Sequence, residues 1–190
     1  MTKTQYYTAS SLDGFLADEQ HGLDWLFQFG GDAGGEPGGD YPEFIARVGA
    51  IAMGAHTYEW ILAHQIQPGA QMHQPWPYTQ PVWVFTSREL PTVDGADIRF
   101  VRGDVRPVHE EMTRAAGERN VWVMGGGELA GQFHDQGLLD EILVTVASVT
   151  LGRGMPLMPR RITTPPLQLL SAELLGPGFA QLVYTVQNAG

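Results

Sequence analysis

Residues 120–130, NVWVMGGGELA, set the tightest limit on what this chain can become. Val121-Trp122-Val123-Met124 is a short apolar run of β-forming type, three glycines stop it, and a helix-compatible segment opens at Glu128. A strand, a tight turn and a helix N-terminus therefore fit into eleven residues. Gly125, Gly126 and Gly127 keep side chains away from the turn and allow backbone angles closed to other residues. The first amides of the following helix then point beyond the strand end, an arrangement that binds phosphate. A tight turn with no ligand would satisfy the same residues, so the rest of the chain has to separate the two readings.

The rest of the chain repeats this alternation. Residues 4–10 read as a first strand, 41–48 as a helix with Phe44, Ile45 and Val48 on one face, 50–53 as a buried strand and 57–63 as a second helix. Strands follow at 81–86 and 98–101. Asp104 is placed to cap a helix running to about Gly117, with Val105, Val108, Met112 and Ala115 or Ala116 turned inward. After the strand at 121–124 comes a helix over about 128–136, then strands at 142–149, 167–175 and 179–186, the last two joined by Gly176-Pro177-Gly178. Strands alternating with helices predict an α/β sheet with parallel central strands, closed by an antiparallel hairpin. No composition break divides residues 1–190, so one domain is expected. Residues 22–27 fit a short helix or a loop. Residues 29–40, with six glycines and a proline, read as a surface loop that could act as a lid or be a plain insertion.

Composition narrows the function. The net charge is −10 with 11 Lys+Arg, which leaves no basic face for nucleic acid. No apolar run reaches the roughly 18 residues of a membrane span, and the N-terminus lacks the apolar segment of a secretory signal. The absence of cysteine removes disulfides and thiol nucleophiles and suits a cytoplasmic location. The six histidines are scattered without a metal-ligand spacing.

An anionic ligand would have to rely on local devices, and three strand ends offer them. Met53-Gly54-Ala55-His56-Thr57 and Met124-Gly125-Gly126-Gly127-Glu128-Leu129 each put glycine between a strand and a helix. In parallel sheets, ligands bind beyond such ends, and two of them could hold a pyrophosphate. Thr57 could donate its hydroxyl there or cap its helix. Ser87 and Arg88, after the strand at 81–86, could bind a further phosphate, or Arg88 could simply be solvated.

Taken with these junctions, several pieces of the chain resemble the dihydrofolate-reductase-like family, in the branch related to the reductase domain of the bifunctional riboflavin deaminase–reductase. The matching pieces are Ser11-Leu12-Asp13-Gly14, Met53-Gly54-x-x-Thr57-Tyr58-Glu59, Thr86-Ser87-Arg88, Val121 to Leu129, Gly137-Leu138-Leu139-Asp140-Glu141-Ile142 and Leu151-Gly152-Arg153-Gly154. They span nearly the whole chain in the family's order. The resemblance implies a mixed eight-stranded sheet with NADPH across its strand ends. Gly54 and Thr57 would then sit at the pyrophosphate, Ser87 and Arg88 near the 2′-phosphate, and Met124, Gly125, Gly126, Gly127, Glu128 and Leu129 against the pyrophosphate and nicotinamide half. Ala9, Leu16 and Ala17 would lie against the nicotinamide, and Gly125–Gly126 is a candidate cis peptide. The family usually has arginine after the glycine corresponding to Gly54. Ala55 and His56 stand here instead, so NADH is possible beside NADPH, and His56 could assist when protonated.

Hydride transfer also needs a proton source. The acids in range are Asp13, which also fits a turn, and Glu43, with Asp24 and Asp40 as further acids bordering the cavity. Trp25, Phe27 and Trp60 could stack on a flat substrate or belong to the core. The phosphoribose-binding pattern that the riboflavin enzyme would carry after Asp13-Gly14 is not recognisable, and no deaminase domain is expected within residues 1–190. The expected function is an NADPH-dependent reductase of a small heterocyclic or conjugated substrate. The alternatives are the 5-amino-6-(5-phosphoribosylamino)uracil reductase step of riboflavin biosynthesis, and a nucleotide- or small-molecule-binding protein without turnover. The resemblance also implies a homodimer.

Overall fold

The computed structural model describes residues 2–29, 41–70 and 72–187. Its elements run β1 (Thr4–Ser11), β2 (Phe15–Ala17), α1 (Asp24–Phe27), α2 (Tyr41–Ala46), β3 (Val48–Gly54) and α3 (Ala55–Ile61), which continues as a π-helical turn (Leu62–Ile66). Then come β4 (Val82–Phe85), β5 (Ile98–Val101), α4 (Val105–Ala116), β6 (Asn120–Gly125), α5 (Gly127–Asp135), β7 (Glu141–Ala147), β8 (Met155–Pro156), β9 (Gln168–Leu174) and β10 (Phe179–Thr185). Eight strands form one sheet in the order β5-β4-β3-β6-β1-β7-β10-β9. Neighbours from β5 to β7 pair parallel, while β10 runs antiparallel to both β7 and β9. This is the mixed, mostly parallel sheet with a closing hairpin that the sequence predicts.

The central strands read as continuous apolar runs because both sheet faces are covered. Alternation along β3 sends Ala50 and Ala52 to one core, under α4 and α5, and Ile51 and Met53 to the other, under α2 and α3. Tyr6 and Tyr7 of β1 divide between the same two cores. Helix α4 forms as its pattern predicts. Asp104 accepts a hydrogen bond from the Arg106 amide at 3.0 Å, Val105, Val108, Met112 and Ala116 are buried, and Gly117 ends the helix at φ 64°.

Three differences from the sequence reading bear on the site. Helix α3 starts at Ala55 rather than at 57, because Gly54 is its N-cap. The chain pairs β2 with β8 in a two-stranded strap beside the main sheet, elements too short to carry a strand pattern. Residues 22–27 resolve to the single turn of α1 at Asp24–Phe27. Of the glycine-rich segment 29–40, read above as a lid or an insertion, residues 30–40 lie outside the described residues.

The connections place the site. After β3 the chain crosses through α3 to β4, on one side; after β6 it crosses through α5 to β7, on the other. Strands β3 and β6 are neighbours, with Met53 paired to Gly125. Their carboxyl ends form the switch point at which parallel α/β sheets open a crevice.

Phe133 anchors α5 at this place. It is fully buried and meets Phe85 edge-on at 6.1 Å and His109 at 5.8 Å. Phe133→Ala is expected to cost about 3–5 kcal/mol. Urea denaturation should show a lower midpoint at an unchanged slope.

Candidate functional site

A cavity of about 820 Å³ opens over the carboxyl ends of β3, β4, β5 and β6, within the usual volume of small-molecule sites. Its floor is the turn between β6 and α5, and the three glycines there do three different things. Gly125 has φ +147°, a conformation side-chain residues rarely adopt, and the Gly125–Gly126 peptide is cis, as the resemblance implies. A Cβ on Gly126 would meet nothing within 4 Å, so this residue faces open space. A Cβ on Gly127 would lie 2.3 Å from the Pro156 carbonyl oxygen and 2.5 Å from that of Leu157, so Gly127 lets β8 lie against the start of α5.

Helix α5 has Gly126 as N-cap with no side-chain cap, and its first intrahelical bond runs from the Ala130 amide to the Gly126 carbonyl at 3.1 Å. The amides of Gly127, Glu128 and Leu129 therefore have no partner within the helix. Helix α3 likewise starts at Gly54 without a side-chain cap. The two turns touch: a Cβ on Gly54 would be 3.6 Å from the Gly125 carbonyl oxygen. Thr57 is the third residue of α3 and does not cap it, which removes the capping alternative. Its hydroxyl oxygen is 3.7 Å from where a Gly125 Cβ would stand. Amide dipoles, a hydroxyl and glycine-bared backbone make a donor set suited to phosphate. On this ground the residues present fit a pyrophosphate.

Most of the cofactor-binding candidates line this cavity: Ala9, Leu16, Ala17, Gly54, His56, Thr57, Ser87, Met124, Gly125, Gly126, Gly127, Glu128 and Leu129. Arg88 does not. Glu59 holds its guanidinium in a two-pronged ion pair at 2.7 Å for each contact, which directs the cation at α3 instead of the cavity. Among the described residues, the Lys or Arg side chain that does line the cavity is Arg102, followed by Gly103, at the end of β5. The sequence signal was available, since Arg102 follows its strand as Ser87 follows β4. His56 stacks on His21 at 4.3 Å, and His21 is held there at φ 62° by a turn whose amides at Gln20 and Gly22 donate to Asp18. Glu128 accepts from Arg160 at 2.8 and 2.9 Å, which holds its carboxyl below the usual range.

Neither proposed acid reaches the cavity. Asp13 is exposed and fully engaged elsewhere: Ser11 Oγ donates to it at 2.6 Å, the Gly152 amide at 2.7 Å and the Leu151 amide at 3.1 Å. These bonds, the serine foremost, hold its carboxyl below the ordinary value. Asp13 ties the β1–β2 turn to the loop that leads into β8, so it positions the strap that carries Leu16 and Ala17. Glu43 is exposed on α2 and faces Arg47 at 3.6 Å. Asp24 borders only a smaller depression beside α1, and Asp40 lies outside the described residues. Trp25 belongs to the small cluster around Phe179, while Phe27 and Trp60 line the cavity, their rings stacked at 5.8 Å. Sequence reasoning missed Tyr7, Tyr41, Tyr78 and Trp122, which also line it. Strand alternation in β1 would have pointed to Tyr7, on the same face as Ala9.

Comparison with known proteins fits this geometry. Residues 68–181 match the family described as the RibD C-terminal domain. The chain is 30% identical over 175 residues to the uncharacterized protein YwjB of Bacillus subtilis (strain 168), covering 92% of each chain. It is similar in fold to a candidate riboflavin biosynthesis protein of Shewanella sp. PV-4, with TM-score 0.77, 23% identity and coverage of 98% of this chain and 99% of that one. It is also similar in fold to dihydrofolate reductase from Enterococcus faecalis, solved with NADP(H), with TM-score 0.60, 13% identity and coverage of 96% and 95%. Family and fold together support a reductase-type function.

The placement of Asp13 has a pH signature. Its folded-state pKa is depressed, so the stability it contributes is present above its unfolded value, near 3.9, and is lost as pH falls through the lower folded value. Asp13→Asn should therefore lower the thermal midpoint at neutral pH. The gap to the parent protein should narrow below about pH 4. A gap independent of pH would show that the charge is not what holds the loop.

Proposed function

The chain belongs to the RibD C-terminal domain family, and from that premise we propose that it is an NADPH-dependent reductase of a small heterocyclic or conjugated substrate. One observation carries this reading: two helices begin at uncapped glycines on adjacent strand ends, over a single cavity. The first-turn amides of α5 and the Thr57 hydroxyl are assigned to the pyrophosphate. Ser87 and Arg102 are assigned to the adenosine 2′-phosphate, in the part first given to Arg88. Ala9, Leu16 and Ala17 form the wall assigned to the nicotinamide. When bound, the nicotinamide supplies a hydride to the substrate. The protein's own residues orient both partners, keep water away from the reacting carbon and deliver the balancing proton.

The proposed assembly is a homodimer. Strand β9 is the sheet edge opposite β5 and exposes Leu169, Leu170 and Leu174, at 52%, 52% and 86%. An exposed apolar edge of this kind invites pairing with another chain, and an identical chain offers the same surface. Analytical ultracentrifugation should give twice the mass of one chain, and Leu170→Glu combined with Leu174→Glu should halve it. A parent protein of single-chain mass would refute the dimer.

Titration with NADPH, followed by tryptophan fluorescence, should saturate; no binding would sink the cofactor assignment. Arg102→Ala should weaken NADPH by about tenfold, the lower end for a charged hydrogen bond at an exposed site, and leave NADH nearly unchanged. Equal losses for both nucleotides would show that Arg102 does not read the 2′-phosphate. Binding without any substrate-dependent oxidation of NADPH across pterins, pyrimidines, quinones and aromatic aldehydes would favour a nucleotide-binding protein without turnover.

A further inference from the structure

The cavity is directed at an anion, yet it carries a carboxylate. Among the described residues, Glu128 is the one Asp or Glu side chain that lines it. It stands at the second position of α5, inside the turn whose amides have no partner within the helix. An acid at this place is drawn to the positive end of the helix. For a phosphate, the same acid is a competitor for the amides and a like charge beside them. The partner of Glu128 therefore decides how open the helix start is.

That partner is Arg160, which takes both carboxylate oxygens. Its Nη1 donates to Glu128 Oε2 at 2.9 Å and its Nη2 to Glu128 Oε1 at 2.8 Å. Its Nε donates to Asp135 at 2.7 Å, and Nη1 also reaches the Pro159 carbonyl at 2.9 Å. One guanidinium thus spans two acids seven residues apart, which lie on the same face of α5. A Cβ on Gly131 would lie 2.6 Å from Arg160 Cζ, so the glycine leaves the guanidinium room to rest on the helix. Glycine inside a helix weakens it relative to alanine. Here Gly131 and Gly127, four residues apart, form one groove for the segment that follows β8.

The segment has anchors of its own. The Leu157 amide donates to the Gly14 carbonyl at 2.9 Å, and the Tyr6 hydroxyl donates to the Leu157 carbonyl at 2.9 Å. These bonds hold it beside α5 independently of the ion pair. The Glu128 side chain is 65% exposed and that of Arg160 21%. An ion pair this open adds little to stability. Its effect lies in where it puts the charge. The guanidinium rests over Gly131, three residues beyond Glu128, and so draws the carboxylate down the helix.

We propose that Arg160 is a positioning residue for the nucleotide: it holds the Glu128 carboxylate off the first-turn amides of α5, which stay open to the pyrophosphate. This deepens the reductase reading and rests on its assignment of α5 to the pyrophosphate. Arg160 acts through Glu128 and not by touching the ligand, so removing the carboxylate removes the need for the arginine.

Titration with NADPH, followed by tryptophan fluorescence at low salt where charge is least screened, tests this in four proteins. They are the parent, Arg160→Ala, Glu128→Gln and the double variant. Arg160→Ala should weaken NADPH about three- to tenfold, the scale of a charge placed at a helix end. In the Glu128→Gln background the same substitution should change the affinity by less than about twofold. A loss that persists in that background would show Arg160 docking its segment or contacting the nucleotide, and would overturn the proposal. No loss in Arg160→Ala would overturn it as well. Arg160→Gln, which keeps most of the stem, replaces the alanine variant in the cycle where the thermal midpoint shows that the latter does not fold. A parent that binds no NADPH refutes the cofactor reading, and calorimetric titration of the same four proteins with inorganic pyrophosphate then decides the role of Arg160. The same loss and the same cancellation would uphold it, and a parent that binds no pyrophosphate would overturn it too. NADPH bound alike by all four proteins refutes the role of Arg160 alone.

Discussion

Two neighbouring parallel strands, β3 and β6, hand the chain to helices that leave in opposite directions, and neither helix has a side chain to satisfy its first amides. Orphan donors at a helix start need a partner, whether water, a side chain or a ligand. Here glycine at both N-caps removes the side-chain option and opens the space that a side chain would fill. The rest of the structure is built around that gap. Phe133 and Leu129 fix α5 on the sheet, Tyr58 and Ile61 fix α3 on the other face, and the β2–β8 strap closes one wall.

That strap depends on contacts far apart in sequence. Asp13 holds Leu151 and Gly152, Gly154 lets the backbone pass the Ala17 carbonyl, and Gly127 lets Pro156 rest on α5. A carboxylate that looked like an acid catalyst is thus a fastener. It is a reminder that an aspartate followed by glycine in a turn often has its oxygens committed to nearby amides.

Much of the fold was legible because parallel sheets write themselves as separated apolar runs, and α4 carries a cap and an inward stripe. The glycine junctions were legible for the same reason: glycine marks places where backbone must come close. What could not be read was direction and pairing. Nothing local to Arg88 says that Glu59, on a different element, takes its charge, and nothing local to Glu43 says which side of α2 it faces. The strands β2 and β8 were too short to leave a pattern. Tyr7 and Trp122 were missed because aromatic residues in strands are indistinguishable from core until the sheet shows which face is covered, and Tyr41 and Tyr78 because nothing local to them says what they border.

The lining of the cavity is drawn from strands, helix starts and the segments between them. Its glycine turns are strand termini and helix starts, where a substitution disturbs the sheet itself. Of its aromatic lining, Tyr7 and Trp122 stand on β1 and β6 and Trp60 on α3, which also carries Thr57, whereas Tyr41 and Tyr78, with Gln65, come from α2, the segment before β4 and the π-turn. Tyr41, Gln65 and Tyr78 can therefore change while the sheet and the glycine turns stay untouched.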